Sequence, residues 1–186
     1  MKVLFVHIPK TAGGSIYRWW LNNCQDTDFQ LIRNKHFTLN ENTQQYDKSF
    51  TVTRNTFDKL ISLYVFQEHK CYQKIRKNYN VDFYNNILEA WNKGITYYLE
   101  YAIDNQFNGV KSQVEYVKDV DYIFSTENLD NDFKTIHKWS NCYTPLEKNV
   151  HIGKYNRKDF MTPAYISFIE KNFQDELEYF NYTPRI

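Results

Sequence analysis

Met1-Lys-Val-Leu-Phe-Val-His-Ile-Pro-Lys-Thr-Ala-Gly-Gly-Ser-Ile16 has the pattern of a strand, a tight loop and the start of a helix. Its apolar run, Val3 to Ile8, has the length and composition of a buried strand. Pro9 ends that strand, Lys10 to Ser15 form a short polar loop, and a helix is expected from Ile16 with Ser15 as its N-cap. A strand, a glycine-bearing loop and a helix N-terminus together make an anion cradle. Backbone N–H groups point outward there, and the helix dipole adds fractional positive charge. Lys10 and the hydroxyls of Thr11 and Ser15 supply further donors. The expected occupant is the phosphate end of a nucleotide.

Beyond this stretch the chain alternates strand and helix patterns. Ile16, Trp19, Trp20 and Leu21 have helical spacing. Phe29 to Ile32 reads as a second strand ending near Lys35-His36, and Asn40 to Lys48 as a polar loop or short helix. Phe50 to Thr53 reads as a third strand, stopping at Arg54-Asn55. A helix begins at Thr56, with Phe57, Leu60, Ile61, Tyr64 and Val65 on one stripe. Two more helices are expected over Val81 to Trp91 and Ile95 to Phe107. Val120 to Ser125 reads as a strand, followed by a helix over Asn131 to Trp139. Thr162-Pro163 opens a final helix with Ile166, Ile169, Phe173 and Leu177 on its core face. This pattern predicts one α/β domain over residues 1–186, with three αβα layers and a mainly parallel sheet. Ligands of such sheets bind beyond the strands' C-terminal ends, where His7 to Ser15, Lys35-His36 and Arg54-Asn55 all fall.

Composition narrows the function classes. The chain has 186 residues, 18% of them aromatic, and a formal net charge of +1. That length supports a sizeable core without staples, and the charge gives no support to wholesale nucleic-acid binding. Cys24, Cys71 and Cys142 are far apart and form no Cys-x-x-Cys pair, so neither a zinc site nor a disulfide framework is expected. No apolar run approaches the roughly 20 residues that span a bilayer, and the first strand leaves no room for a signal peptide. The expectation is a soluble, cytoplasmic protein with no membrane partner.

Two segments carry the chemistry. The first loop is not a Walker A sequence, because Lys10 precedes Gly13-Gly14 where that motif places lysine after the glycines. In the second segment Asn55 and Ser62 are seven residues apart, two helical turns, and so face the same way, with Asp58 between them. Arg54 at the strand end offers a planar fork of donors. Arg54 and Ser62 are thus candidates for holding one anion.

His7-Ile-Pro-Lys-Thr-Ala-Gly-Gly-Ser15 resembles the donor-binding loop of the carbohydrate-type sulfotransferases, His-x-Pro-Lys-Thr-[Gly/Ala]-Gly-[Thr/Ser]-Ser. Phe50-Thr-Val-Thr-Arg-Asn-Thr-Phe-Asp-Lys-Leu-Ile-Ser-Leu-Tyr64 is similar to their Phe-x-Arg-Asn-Pro-Tyr-Asp-Arg-x-x-Ser-x-Tyr segment. Asp121 to Phe133 is similar to their Phe-Glu-Asn-Leu-x-x-Asp-Phe stretch, and Phe180-Asn-Tyr182 is a weaker echo of a terminal Phe-Gly-Tyr. The chain departs from the pattern at Thr56, Lys59 and Ser125-Thr126. The resemblance implies a P-loop NTPase-like sulfotransferase fold and a metal-free sulfuryl transfer from 3′-phosphoadenylyl sulfate (PAPS) to a hydroxyl, with a carbohydrate as expected acceptor. It implies that Lys10, Thr11, Ala12, Gly13, Gly14 and Ser15 hold the 5′-phosphosulfate and that Arg54 and Ser62 hold the 3′-phosphate. Lys10 would also neutralise the leaving oxygen.

For the general base the candidate is His36, whose pKa class suits the task, with Glu41 in reserve. His7 is expected to shape the loop, His137 to be structural, and His69 with Cys71 to make no metal site. His151, Lys154, Arg157 and Lys158 form a basic patch, with Arg157 the candidate for closing over the nucleotide. Two rival classes stand beside this reading: a nucleotide kinase-like P-loop enzyme needing magnesium and ATP, and a non-catalytic nucleotide- or glycan-binding relative.

Overall fold

The structure, a computed structural model, describes residues 1–147 and 155–185. Its elements run β1 (Lys2–His7), α1 (Gly13–Asn23), β2 (Gln30–Lys35), β3 (Lys48–Thr53), α2 (Thr56–Arg76), α3 (Val81–Asn92), α4 (Ile95–Asp104), α5 (Gln113–Val117), β4 (Tyr122–Ser125), α6 (Leu129–Ser140), α7 (Pro163–Asn172) and α8 (Gln174–Phe180). The chain divides into two compact units, Met1–Arg54 with Gln113–Val150 and Asn55–Ser112 with His151–Ile186.

The first unit holds a four-stranded, all-parallel sheet in the order β2-β1-β3-β4. In β1 side chains alternate between two faces, as a period of two requires. Val3 and Phe5 join Phe50, Val52 and Phe124 in a core closed by Ile16 and Trp19 of α1 and by Leu129, Phe133 and Ile136 of α6. Leu4, Val6 and Ile8 point the other way, against Tyr116 of α5. Val3 through Val6 are therefore buried without a break, the mark of a parallel strand covered on both faces. The protein is α/β and compatible with a three-layer αβα arrangement.

The second unit is helical. Phe57, Leu60, Ile61 and Tyr64 of α2 pack with Ile87 of α3, Tyr98 and Leu99 of α4, and Tyr165 and Ile169 of α7. Its polar ties are specific. The Tyr165 hydroxyl donates to the Phe57 carbonyl at 2.7 Å. Lys59 and Glu176, both fully buried, pair at 3.2 Å, and the Thr56 hydroxyl donates to the same carboxylate at 2.6 Å. Asn55 accepts the Phe57 N–H at 3.1 Å to cap α2, while its amide donates to the Thr183 carbonyl at 2.9 Å.

Some boundaries differ from expectation. The helix after β1 starts at Gly13 with Ala12 as N-cap, so Ser15 lies inside the first turn and does not cap it. The expected single C-terminal helix breaks at Phe173, which closes α7 and opens α8. The expected helix from Ile95 stops at Asp104, not Phe107. The five-residue α5 carries too little repeat to register as a period. No helix among the described residues is long and apolar enough to cross a membrane.

Candidate anion site at the ends of β1 and β3

In the order β2-β1-β3-β4, the chain leaves β1 toward one side for β2 and returns to its other side for β3. The gap between the C-terminal ends of β1 and β3 is thus the topological switch point, where open α/β sheets bind ligands. Two predicted segments meet there. The loop after β1 holds Lys10 at φ 69° and Ala12 at φ 67°, both left-handed, with Thr11 between them outside that region. Alternation of this kind turns successive N–H groups toward one concavity, an anion nest. Among the described residues, no acceptor within the chain receives the N–H groups of Ala12, Gly13 or Gly14; Ser15 and Ile16 donate back to the Ala12 carbonyl at 2.9 and 3.2 Å. The Thr11 hydroxyl is turned inward to the Ile8 carbonyl at 2.9 Å and stabilises the turn.

Arg54, just past β3, donates from its guanidinium to the Lys10 carbonyl at 3.2 Å. That bond uses one donor of the fork and ties the two strand ends together. Arg54 is in turn held by Gln113, the first residue of α5. The Gln113 amide oxygen accepts the Arg54 N–H at 2.9 Å, and its amide nitrogen donates to the Arg54 carbonyl at 2.8 Å. Gln113 is fully buried, so this pair of bonds fixes the backbone from which the guanidinium reaches the loop.

His7 shapes the loop from beneath. A β-carbon at Gly13 would lie 1.9 Å from His7 Cδ2 and 2.0 Å from Nε2, so the imidazole fills the room that glycine leaves. The ring stacks on Phe5 and receives Arg33 at Nδ1, 2.9 Å away. Burial lowers the pKa of Arg33, and the neighbouring Tyr17 works in the opposite direction. His36 follows β2 with φ 64°, donates its N–H to the His7 carbonyl at 3.1 Å, and sets its ring 5.2 Å from that of His7. The general-base candidate thus stands on the same sheet edge as the loop. The reserve, Glu41, accepts from both the N–H and the hydroxyl of Thr38 in a local capping box.

The remaining candidates belong to the second unit. Ser62 is 1% exposed, and its hydroxyl has no partner among the described residues. A buried hydroxyl without a hydrogen bond is costly, and an anion oxygen is one group that would satisfy it. Asp58 lies one turn earlier on the same face. Arg157 sits 3.4 Å from both Asp58 oxygens, so the second unit gathers Arg157, Asp58 and Ser62. His151 and Lys154 lie outside the described residues. His69 faces Gln73 at 2.6 Å, and His137 bonds the Cys142 carbonyl and packs edge-on against Trp19 and Phe133.

Residue patterns did not reveal Gln113, whose partner lies 59 positions away, nor the contact between His7 and Gly13. The paired glycines were the one available sign of a close approach. Neither the protein-family models, nor the curated proteins, nor the solved structures compared with the chain give a match.

Proposed function

We propose that the protein is a cytoplasmic, PAPS-dependent sulfotransferase of P-loop-like type, moving a sulfuryl group to a hydroxyl on a carbohydrate. One observation carries the reading: beside the left-handed Lys10 and Ala12, the N–H groups of Ala12, Gly13 and Gly14 have no acceptor among the described residues, while Arg54 bonds the Lys10 carbonyl at the β1–β3 switch point. The donor supplies an activated sulfuryl group; the chain's residues bind, orient and neutralise. The N–H groups of Ala12, Gly13 and Gly14 hold the 5′-phosphosulfate, with Lys10 and the hydroxyl of Ser15 beside them. Thr11 contributes its N–H, because its hydroxyl is spent on Ile8. The sulfotransferase resemblance assigns Arg54 and Ser62 to the 3′-phosphate, and the Ser62 hydroxyl, without a partner among the described residues, fits that role. Arg157, held on Asp58 one turn from Ser62, is the second unit's other candidate for the nucleotide.

Lys10 places fixed positive charge where the leaving oxygen gains negative charge, the placement that lowers a barrier most. His36 takes the proton of the acceptor hydroxyl. The reaction is then in-line displacement on sulfur with alignment and charge neutralisation as the main contributions. Transfer of labelled sulfate from PAPS to a panel of sugars tests the activity. Stabilisation by ATP with magnesium but not by adenosine 3′,5′-bisphosphate would favour the kinase-like class, and binding without transfer would favour a non-catalytic relative.

A further inference from the structure

α1 ends at Cys24, whose N–H closes the last turn on the Trp20 carbonyl at 3.0 Å. The segment that follows α6 is fastened to this same helix, because the Trp19 indole donates to the Thr144 carbonyl at 2.6 Å. Cys142 lies in that segment and packs on the core cluster that contains Cys24. The Ser140 hydroxyl accepts the Cys142 N–H at 3.2 Å and donates to the Ile136 carbonyl at 2.8 Å, which fixes the start of that segment on α6. Cys142 acts electrostatically on the Cys24 thiol, and its own sulfur lies 3.7 Å from the Thr144 hydroxyl. Cys24 is buried and Cys142 is half-buried. The chain's other cysteine, Cys71, belongs to the second unit, where Gln67 donates to its sulfur at 3.4 Å.

We propose that Cys24 and Cys142 are a redox pair, joined by mild peroxide oxidation into a disulfide that fastens the end of α1 to the segment after α6. The order of events follows from exposure. Burial, then the neighbouring Cys142, pushes the Cys24 thiol up to about 12, so it stays protonated, and the more accessible Cys142 reacts first. The Cys142 sulfur attacks one peroxide oxygen and the O–O bond breaks, leaving a sulfenic acid and one water. The Cys24 sulfur then displaces the hydroxyl from the Cys142 sulfur. The S–S bond forms, and the hydroxyl leaves as a second water with the proton of Cys24. Two thiols are oxidised and one peroxide is reduced. α1 has 11 residues, so about 16 Å of helix separate this bond from the anion loop. The bond braces that helix from its far end.

The test treats folded protein with a few equivalents of hydrogen peroxide, alkylates in denaturant and maps peptides without reduction. The expected product is a monomer with Cys24 linked to Cys142 and Cys71 alkylated. Recovery of alkylated Cys24 from oxidised protein, with Cys142 over-oxidised or linked between chains, overturns the proposal. A second measurement compares melting temperatures of oxidised and reduced wild type. A rise of about 5–10 °C is expected, and it should vanish in Cys142→Ser. An equal oxidant response in wild type and Cys142→Ser also overturns it.

Discussion

Replacing Gly13 by alanine tests how the anion loop is built. The backbone tolerates the change, because Gly13 is the first residue of α1 and has no left-handed φ. The obstacle is His7, whose Cδ2, Nε2 and Cε1 would lie 1.9, 2.0 and 2.7 Å from the new β-carbon. The ring has little freedom to yield, being 6% exposed, stacked on Phe5 and bonded to Arg33. Overpacking of a well-filled site costs about 1–3 kcal/mol. For a chain of this size that is a fall in Tm of roughly 3–10 °C. Alanine is otherwise the better helix former by up to about 1 kcal/mol. In a His7→Ala background the same substitution should therefore be neutral or stabilising. Urea unfolding of the four proteins in this double-mutant cycle measures the coupling. Gly13→Ala as stable as wild type, or equally destabilising with and without His7, would refute the contact.

Three other substitutions separate binding from folding. Gln113→Ala leaves the half-buried Arg54 N–H and carbonyl without their Gln113 partner, so about 1–3 kcal/mol of stability should be lost in urea, with nucleotide affinity falling alongside. Ser62→Ala removes a hydroxyl that satisfies nothing in the protein alone; unchanged or raised Tm is expected, with affinity for adenosine 3′,5′-bisphosphate down about tenfold by calorimetry. Loss of stability with unchanged affinity would remove Ser62 from the site. Lys59→Met strands the buried Glu176 carboxylate and should cost about 3–5 kcal/mol, most of it recovered in Lys59→Met with Glu176→Leu; an additive double mutant would contradict the pairing.

The sheet was legible because its physics is local. Val3 to Ile8 and Phe50 to Thr53 are short β-branched runs that end in proline or polar residues, and both became central parallel strands. Helix α2 was legible from its stripe, since Phe57, Leu60, Ile61 and Tyr64 all reached the core. The loop and Arg54 were legible as a motif, and the sheet order brings them within hydrogen-bond range. What stayed hidden depends on distant partners. Ser15 satisfies the usual preference for an N-cap, but the turn is set by the left-handed Ala12 and by His7 pressing on Gly13, so the helix begins three residues earlier. The break at Phe173 has no glycine or proline to announce it. Gln113 looks like any polar residue before an apolar pair, and its role exists only once Arg54 lies beside it. Cys24 and Cys142, more than a hundred positions apart, became neighbours only through the packing of α1 against the segment after α6.

On the proposed function, the loop after β1, with Arg54, grips a nucleotide carrying both 3′- and 5′-phosphates. Calorimetry and thermal unfolding with adenosine 3′,5′-bisphosphate test it most directly. At about 100 times Kd the ligand should stabilise the protein by about 2.7 kcal/mol, raising Tm by roughly 5–10 °C. Lys10→Ala and Arg54→Ala, folded as wild type, should each lose at least about tenfold in affinity, equivalent to about 1.4 kcal/mol. No heat of binding and no stabilisation of the wild-type protein at saturating nucleotide would contradict the account.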